Sequence, residues 1–377
     1  MKLNCGFVGL PNVGKSTLFN ALSNNSIAAE NYPFCTIEPN VGIVEVPDSR
    51  LKVLSKIFSP KKTVYNTVEF IDIAGLVKNA HKGEGLGNQF LSQIRSVKVI
   101  VQVIRAFDDK NVTHVENRVD PISDIEIINT ELVLADIKTV EKSLEKNEKL
   151  IKANKPEGKL AKTVLNSLLE HLNSGFSARS FKRNSKEDVP VKNLFLLTDK
   201  PMIYVANISE NQISDEKISE IKKVADKNRS SFVMINGKLE SEMSGLGEEE
   251  KKLLLNEYGL KEPGLNSLIK ESYKNLGLQT FFTCGEEEVR AWTITKGAAA
   301  VEAAAEIHTD FAKKFIKAEI FSFEDAIKNE NNIKDLKTLG LVKIVGKDYI
   351  MQEGDICLLY TSPSPRDRTR SRMPSSA

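Results

Sequence analysis

The sequence predicts an α/β protein with a parallel sheet. A helical hairpin is inserted in the chain between two strands of this sheet, and a smaller β-rich domain follows the sheet. Three observations support this fold class. A glycine-rich segment at residues 9–17 follows a short apolar run and precedes a helical pattern. Two long amphipathic stretches separate the strand patterns before residue 130 from those after residue 200. Beyond residue 278, short alternating strands replace the earlier strand–helix alternation.

The glycine-rich segment reads Gly9-Leu-Pro-Asn-Val-Gly14-Lys15-Ser16-Thr17, the complete pattern G-x-x-x-x-G-K-[ST]. Leu3 to Val8 is expected to form the strand before it, and Thr17 to Leu22 belongs to the helix after it. The unpaired backbone N–H groups at the start of such a helix, together with the helix dipole, bind polyphosphate oxygens. The pattern therefore predicts a nucleoside triphosphate site formed by Pro11, Asn12, Val13, Gly14, Lys15, Ser16 and Thr17.

Two side chains of this segment have predicted chemical roles. The Lys15 ammonium is expected to reach the β- and γ-phosphates, which makes it a binding and a catalytic candidate. The Ser16 hydroxyl is expected to coordinate Mg²⁺.

Two later segments complete the predicted magnesium and γ-phosphate site. The apolar strand Val68–Asp72 ends in Asp72-Ile-Ala-Gly75, so Asp72 can support the Mg²⁺ shell indirectly and Gly75 can offer its N–H to the γ-phosphate. Between this strand and the phosphate loop, the Pro-interrupted segment 31–40 contains Thr36. A threonine in such a switch segment completes the Mg²⁺ coordination when the γ-phosphate is present.

Long, irregular strings outside the phosphate loop indicate a family. They are Asn31 to Asn40, Asp72 to Lys78, Lys82 to Gln89, Asp120 to Glu126, Glu288 to Ile294 and Ile307 to Phe311. Through these stretches the chain, from residue 1 to about residue 358, resembles the Obg-related YchF family, also called Obg-like ATPases. The resemblance implies a TRAFAC-class P-loop NTPase (G) domain and a C-terminal TGS domain of the β-grasp type. It also implies a slow ATPase that acts as a switch in translation or stress response.

The base-recognition segment departs from the pattern of GTPases. Asn207-Ile-Ser-Glu210 follows the strand pattern 201–206 and occupies the position of N-K-x-D. In N-K-x-D the Asp carboxylate accepts two hydrogen bonds from guanine, and adenine lacks the ring N–H that this requires. Because Ile208 and Glu210 replace Lys and Asp, ATP is expected to be preferred over GTP, in agreement with the resemblance. A second base-side loop is predicted at Asn236 to Glu240 and includes Lys238.

Hydrolysis is expected to be slow. Leu76 stands directly after Gly75, where many GTPases have a glutamine that orients the attacking water. His81, in a glycine-rich segment, is a candidate for this role, with an ordinary solvated histidine as the alternative. A K⁺ ion held by Asn12 is a second candidate, with bracing of the phosphate loop as the alternative.

The domain prediction follows from helix and strand patterns. Apolar residues at three- to four-residue spacing from Asp120-Pro121 to Ile151, a break at Pro156-Glu-Gly158, and a second helical pattern to Leu172 predict a helical hairpin, or antiparallel coiled coil. The predicted ranges are 1–130 and 200–278 for the nucleotide domain, 131–199 for the hairpin, 279–358 for the TGS domain and 359–377 for a tail.

The C-terminal region contains strand patterns near 279–284, 289–294, 317–321, 341–345 and 355–358, with helices near 298–307 and 323–328. Trp292 is more typical of a core residue than of an exposed platform. RNA contact by this domain is implied mainly by the family, with a basic face as the expected surface. Its members would be Arg290, Lys296, His308, Lys313, Lys314 and Lys317.

The tail has four Arg and one Asp in residues 359–377, with no lysine and no apolar periodicity. One interpretation is a basic, disordered arm that binds nucleic acid. The interpretation that we favour is sequence unrelated to the protein.

Composition limits the remaining function classes. The 377 residues are 41% hydrophobic and 28% charged, with a net charge of +2, so long-range attraction to nucleic acid is weak. No apolar run reaches the length of a membrane span, and four scattered cysteines argue against structural zinc, so a cytoplasmic protein without membrane association is expected.

The resemblance implies a largely monomeric protein that binds the ribosome at the large subunit or the intersubunit face. Two classes remain open: a slow ATPase switch, and a nucleotide-gated ribosome- or RNA-binding module with negligible hydrolysis. A GTP-specific switch is a third.

Overall fold

The computed structural model describes residues 3–24, 40–73, 86–107, 120–152, 156–209, 213–328 and 333–361. The fold divides into two compact units, Met1–Val44 with Val68–Leu276, and Glu45–Thr67 with Gly277–Ala377. Each unit is built around a six-stranded sheet. The predicted α/β fold class is confirmed.

The sheet of the first unit has the strand order β2-β4-β1-β5-β6-β7. The pairs β1–β4, β1–β5, β5–β6 and β6–β7 are all parallel. Every residue of β1 and β5 is buried, as expected for central strands of a parallel sheet that is covered on both faces. These strands are β1 (Asn4–Val8), β2 (Val41–Glu45), β4 (Thr67–Asp72), β5 (Val99–Arg105), β6 (Met202–Ile208) and β7 (Ser231–Asn236).

The position of β1 determines where a ligand can bind. Strands β4 and β5 follow one another along the chain, yet they lie on opposite sides of β1 in the sheet. Ligands of open α/β sheets bind in the crevice at such a switch point, beyond the carboxyl ends of the strands. The glycine-rich loop follows β1 at this end of the sheet.

The helices of the first unit are α1 (Lys15–Asn24), α3 (Leu86–Ser96), α4 (Pro121–Lys152), α5 (Pro156–Asn173), α6 (Ser185–Lys192), α7 (Asp215–Lys227), α8 (Gly237–Met243), α9 (Glu248–Glu257) and α10 (Gly264–Asn275). Helix α4 begins as predicted, because the Asp120 carboxylate accepts a hydrogen bond of 3.2 Å from the Ser123 N–H. Helices α4 and α5 bury a common apolar core that includes Val133, Val140 and Leu168. The predicted break at Pro156 is the start of α5.

A buried carboxylate attaches the hairpin to the chain that returns to the sheet. Asp136 of α4 is fully buried and accepts hydrogen bonds from the backbone N–H groups of Leu197 and Thr198 at 2.8 and 2.7 Å. The Thr198 hydroxyl donates a third hydrogen bond to Asp136. These bonds satisfy a charge whose burial would otherwise be costly.

The second unit has a mixed sheet with the order β11-β10-β12-β8-β9-β3, in which β8–β9, β10–β12 and β10–β11 are antiparallel. Its strands are β3 (Lys62–Val64), β8 (Leu278–Cys284), β9 (Glu288–Thr295), β10 (Phe315–Ser322), β11 (Lys343–Val345) and β12 (Asp355–Thr361). Its helices are α2 (Ser49–Phe58), α11 (Ala300–Ile307), α12 (Thr309–Lys313), α13 (Phe323–Lys328) and α14 (Ile333–Thr338).

Two boundaries differ from the sequence prediction. Residues 45–67, predicted in the nucleotide domain, belong to the second unit because β3 pairs with β9 and because Leu51 and Leu54 of α2 pack with Phe282 and Val289. The last strand extends to Thr361, where the prediction ended it at residue 358, because β12 remains paired with β10 up to the Phe315–Thr361 pair. Both differences depend on long-range pairing that a local pattern does not report.

No helix in the described part of the chain has the length and apolar composition that crossing a bilayer requires.

Candidate nucleotide-binding site

The phosphate loop connects β1 to α1 and is shaped by two residues with positive φ. Asn12 has φ 62° and Gly14 has φ 88°. Asparagine tolerates this left-handed conformation. At Gly14 a side chain would be strained by the positive φ and would in addition collide with a neighbour. A Cβ there would lie 2.1 Å from the amide nitrogen of Asn207. The loop therefore requires glycine at position 14 for both conformation and space.

Lys15 and Asp72 form an ion pair in this site, between Nζ and Oδ1. Lys15 is the first residue of α1, and Asp72 is the last residue of β4, next to Phe7 of β1 in the sheet. Their side chains are 12% and 21% exposed. The two residues that the sequence assigned to phosphate and magnesium binding are thus in direct contact. In this conformation the carboxylate neutralises the ammonium that a phosphate would bind.

The first turn of α1 is open to solvent. Ser16 and Thr17 are exposed, and no acidic residue lies in this turn. Pro11 and Asn12 are also exposed, whereas Val13 is buried and anchors the loop. A helix N-terminus whose own first turn carries no acidic residue favours an anion.

Asn207 connects the phosphate loop to the last part of the sheet. Its Nδ2 donates to the carbonyl of Val13 at 3.0 Å, and its Oδ1 accepts from the N–H of Gly237 at 3.0 Å. The side chain is 5% exposed. Asn207 therefore braces the phosphate loop against the start of α8.

The segment predicted as a second base-side loop, Asn236 to Glu240, is the start of a helix, and its contact with a base stays a prediction. Residues 237–243 form α8, and Asn236 is its N-cap, accepting from the Leu239 N–H at 3.1 Å. The Asn side chain satisfies an N–H group of the first turn, so the chain turns into a helix directly after β7. Lys238 lies in that first turn with its side chain 76% exposed, 3.9 Å from Glu242. Ile208 is opposite Asn236 in the β6–β7 pair.

Four of the candidate residues lie outside the described residues. They are Thr36, Gly75, His81 and Glu210.

Two ionisable residues of the first unit with shifted pKa values were missed by the sequence reasoning. Glu240 of α8 is 4% exposed and accepts a hydrogen bond of 2.6 Å from the Gly264 N–H at the start of α10. Burial raises the pKa of Glu240 to about 7, although this N–H and that of Leu265 lower it. An isolated glutamate in a helical pattern gives no local signal of such burial.

The second is Lys200, whose ammonium donates to the carbonyls of Ile94 and Arg95 at 2.7 and 2.8 Å. It therefore caps the C-terminal end of α3, the helix that starts at residue 86. Burial, with the nearby charges of Lys98 and Arg95, lowers the pKa of Lys200 to about 8.

In the second unit, Trp292 packs against the core, as the sequence favoured. Its ring stacks on Phe281 with centroids 6.3 Å apart, and its Nε1 donates to the Thr283 hydroxyl at 2.9 Å. The Arg290 guanidinium lies 4.0 Å from the indole centroid. RNA contact by this face remains a prediction.

Comparison with known proteins identifies the family. Residues 4–155 match a family described as 50S ribosome-binding GTPase, and residues 278–361 match the YchF-GTPase_C family, described as a protein of unknown function (DUF933). The Ribosome-binding ATPase YchF of Bacillus subtilis (strain 168) is 49% identical over 360 residues, which covers 94% of this chain and 98% of that protein. The protein of the same name from Escherichia coli O157:H7 is 46% identical over 359 residues, with the same coverage.

A solved structure, the Schizosaccharomyces pombe YchF GTPase, superposes on this chain with a TM-score of 0.85 at 37% sequence identity. The superposition covers 95% of this chain and 98% of that one. The similarity therefore includes both units, and this chain belongs to the YchF family.

Proposed function

We propose that this protein is a Mg²⁺-dependent ATPase that converts ATP to ADP and phosphate slowly and acts as a ribosome-associated switch in translation or stress response. The main observation is the contact between Lys15 and Asp72 beside an exposed helix N-terminus. The bacterial relatives are named Ribosome-binding ATPase YchF, which supports both the activity and the partner.

The residues present fit magnesium. Ser16 offers a hydroxyl in the exposed first turn of α1, and Asp72 offers a carboxylate at the end of β4. Mg²⁺ prefers such oxygen ligands, keeps several waters and binds with substrate phosphates. We assign Ser16 and Thr36 to direct coordination and Asp72 to the surrounding shell. The ion would neutralise charge on the β- and γ-phosphates.

Lys15 changes partner in this proposal. In the described conformation its ammonium is held by Asp72, and a triphosphate would attract the same ammonium to the phosphate oxygens. The Asp72 carboxylate would then be released toward the hydrated metal. Substrate binding thus exchanges one ion pair for another, so Lys15 does not have to be desolvated anew.

ATP is the proposed nucleotide, with GTP binding more weakly. Ile208 and Glu210 replace the lysine and aspartate that recognise guanine, and the Asn207 amide is already bound to Val13 and Gly237. Pro11, Val13, Thr17, Gly75 and Lys238 complete the proposed nucleotide contacts. A GTP-specific switch remains the second candidate, since the matched N-terminal family and the S. pombe structure are both described as GTPases.

The remaining assignments belong to the same proposal. His81, or a K⁺ ion at Asn12, would assist hydrolysis. The protein would act as a cytoplasmic monomer at the large ribosomal subunit or the intersubunit face, with RNA contacts from the second unit. If hydrolysis is negligible, the protein would instead be a nucleotide-gated binding module.

The experiment that tests this proposal measures nucleotide affinity and single-turnover hydrolysis in the same protein. Calorimetry with Mg·ATP and Mg·GTP shows which nucleotide binds more tightly. Hydrolysis measured with and without ribosomes distinguishes an enzyme from a binding module. We expect tighter binding of ATP and cleavage that ribosomes accelerate. Tighter binding of GTP would favour the second candidate, and no cleavage under either condition would exclude an ATPase.

A further inference from the structure

A basic pocket lies in the first unit beside the start of α6, apart from the nucleotide site. It has a volume of about 420 Å³. Its lining includes four cationic side chains and one carboxylate, that of Asp188. The cations are Arg179, Lys182, Arg183 and Arg229.

Two of these cations are fixed by internal hydrogen bonds. The Arg179 guanidinium donates to the carbonyls of Asn228 at 2.9 Å and Thr198 at 3.0 Å. The Arg183 guanidinium donates to Asp188 at 2.6 Å and to Asp199 at 2.7 Å. The Arg179 charge is thus held rigidly by neutral carbonyls, whereas the Arg183 charge is balanced by the carboxylates of Asp188 and Asp199.

The other two cations remain available at the rim. Lys182 and Arg229 are exposed. Within the described ranges, neither side chain has a carboxylate partner, and Arg229 makes one long hydrogen bond of 3.5 Å, to the Arg179 carbonyl. Arg229 lies two residues after the end of α7 and has φ 51°, and this left-handed backbone sets the direction in which its side chain leaves the chain. Among the described lining residues the carboxylate is that of Asp188, which is shared by Arg183 and by Lys192.

We propose that this pocket binds a phosphate group of an RNA backbone, with Lys182 and Arg229 contacting the phosphate oxygens and Arg179 supplying fixed charge behind them. Guanidinium groups match the geometry of phosphate oxygens, and an excess of cations over carboxylates selects an anion. The pocket volume exceeds that of one phosphate, so a sugar–phosphate segment can enter. The choice of RNA rests on the proposed function, since a ribosome presents RNA phosphates.

The test uses the full chain and a short fluorescein-labelled oligouridylate, with fluorescence anisotropy measured at several KCl concentrations. Charge reversal in Lys182→Glu/Arg229→Glu is expected to weaken RNA binding by at least about tenfold and to reduce the salt slope by about two. The matched control is Lys52→Glu/Lys56→Glu, which reverses two exposed cations of α2 and is expected to change affinity by less than about threefold. The conservative pair Lys182→Arg/Arg229→Lys should keep most of the affinity. If the reversed pair fails to fold, Lys182→Ala/Arg229→Ala should show the same loss.

Several outcomes would overturn the proposal. The first is that the parent chain does not bind RNA, and the second is that the pocket and control variants lose RNA affinity equally. The third is that oligoglutamate competes as strongly as unlabelled RNA. The fourth is that the pocket variant loses inorganic phosphate binding while its RNA binding is unchanged. ATP hydrolysis is measured in parallel and should stay near the parent rate in all variants. An inactive parent would refute the ATPase, whereas the RNA titration alone decides the pocket.

Discussion

The amide nitrogen of Asn207 donates to the carbonyl of Val13 at 3.0 Å, so the end of β6 holds the phosphate loop directly. The oxygen of the same amide accepts from Gly237 at the start of α8. Both neighbouring glycines accommodate this side chain, because a Cβ at Gly14 or Gly237 would lie 2.1 or 2.9 Å from it. A residue at the position predicted for base recognition therefore also supports the geometry of the phosphate loop.

Asn207→Asp should weaken ATP and GTP binding together, by about tenfold or more. A carboxylate cannot donate to the Val13 carbonyl, so two oxygen acceptors would face each other in a buried site. Calorimetry with both nucleotides measures the effect. Asn236→Asp is the matched control, because an aspartate still caps α8 through its oxygen. A loss confined to one nucleotide would show that Asn207 reads the base instead.

Lys15→Ala should abolish triphosphate binding. The substitution removes the phosphate-loop cation and leaves the Asp72 carboxylate without the ion pair described above. Equilibrium binding of Mg·ATP is the measurement, and Lys52→Ala on α2 is the control. An affinity within about tenfold of the parent, a loss of only about 1.4 kcal/mol, would refute the assignment.

Ile208→Lys combined with Glu210→Asp should shift preference toward GTP. The aspartate regains two hydrogen bonds from guanine, and the lysine stem covers the base. The ratio of the ATP and GTP dissociation constants is the readout. An unchanged ratio in a variant that still binds nucleotide would place discrimination elsewhere, for example at the start of α8.

His81→Ala should slow single-turnover ATP cleavage by roughly tenfold or more while leaving ATP affinity nearly unchanged, as expected of a group that acts in the transition state. Replacement of K⁺ by Na⁺ should slow the step further if Asn12 holds the ion. Rapid-quench assays in both salts separate the two effects. Equal rates in the variant and in both salts would mean that a partner, such as the ribosome, supplies the missing group.

Glu240 should make stability depend on pH. Its pKa rises from an ordinary value of 4.5 to about 7 in the folded chain, because burial disfavours the carboxylate. Between these two pH values the folded state binds more protons than the unfolded state, so the free energy of unfolding falls as pH rises, by up to about 3 kcal/mol.

Glu240→Gln should remove this decline, since the amide does not ionise and its oxygen can still accept from Gly264. The measurement is urea unfolding at pH values from 4.5 to 7.5, monitored with a fluorophore attached to the first unit. It gives the slope of the free energy of unfolding against pH. Glu242→Gln, on the exposed face of the same helix, is the control. A variant with the parent's slope would show that another group is responsible.

The sequence by itself determined the local elements and the family. The phosphate loop, the capping Asp120 and the break at Pro156 are found where the patterns predicted them, and Trp292 is partly buried against the core of the second unit. Each depends on a short segment whose backbone geometry, capping or periodicity is set by its own residues.

Tertiary structure decided what depends on residues far apart in the chain. The assignment of residues 45–67 to the second unit comes from pairing of β3 with β9, more than two hundred residues later. The bracing role of Asn207, the burial of Glu240 and the convergence of Arg179, Arg183 and Arg229 on one pocket arise in the same way. Hydrogen bonding and burial are properties of neighbours in space, and a single sequence without pairing information does not specify those neighbours.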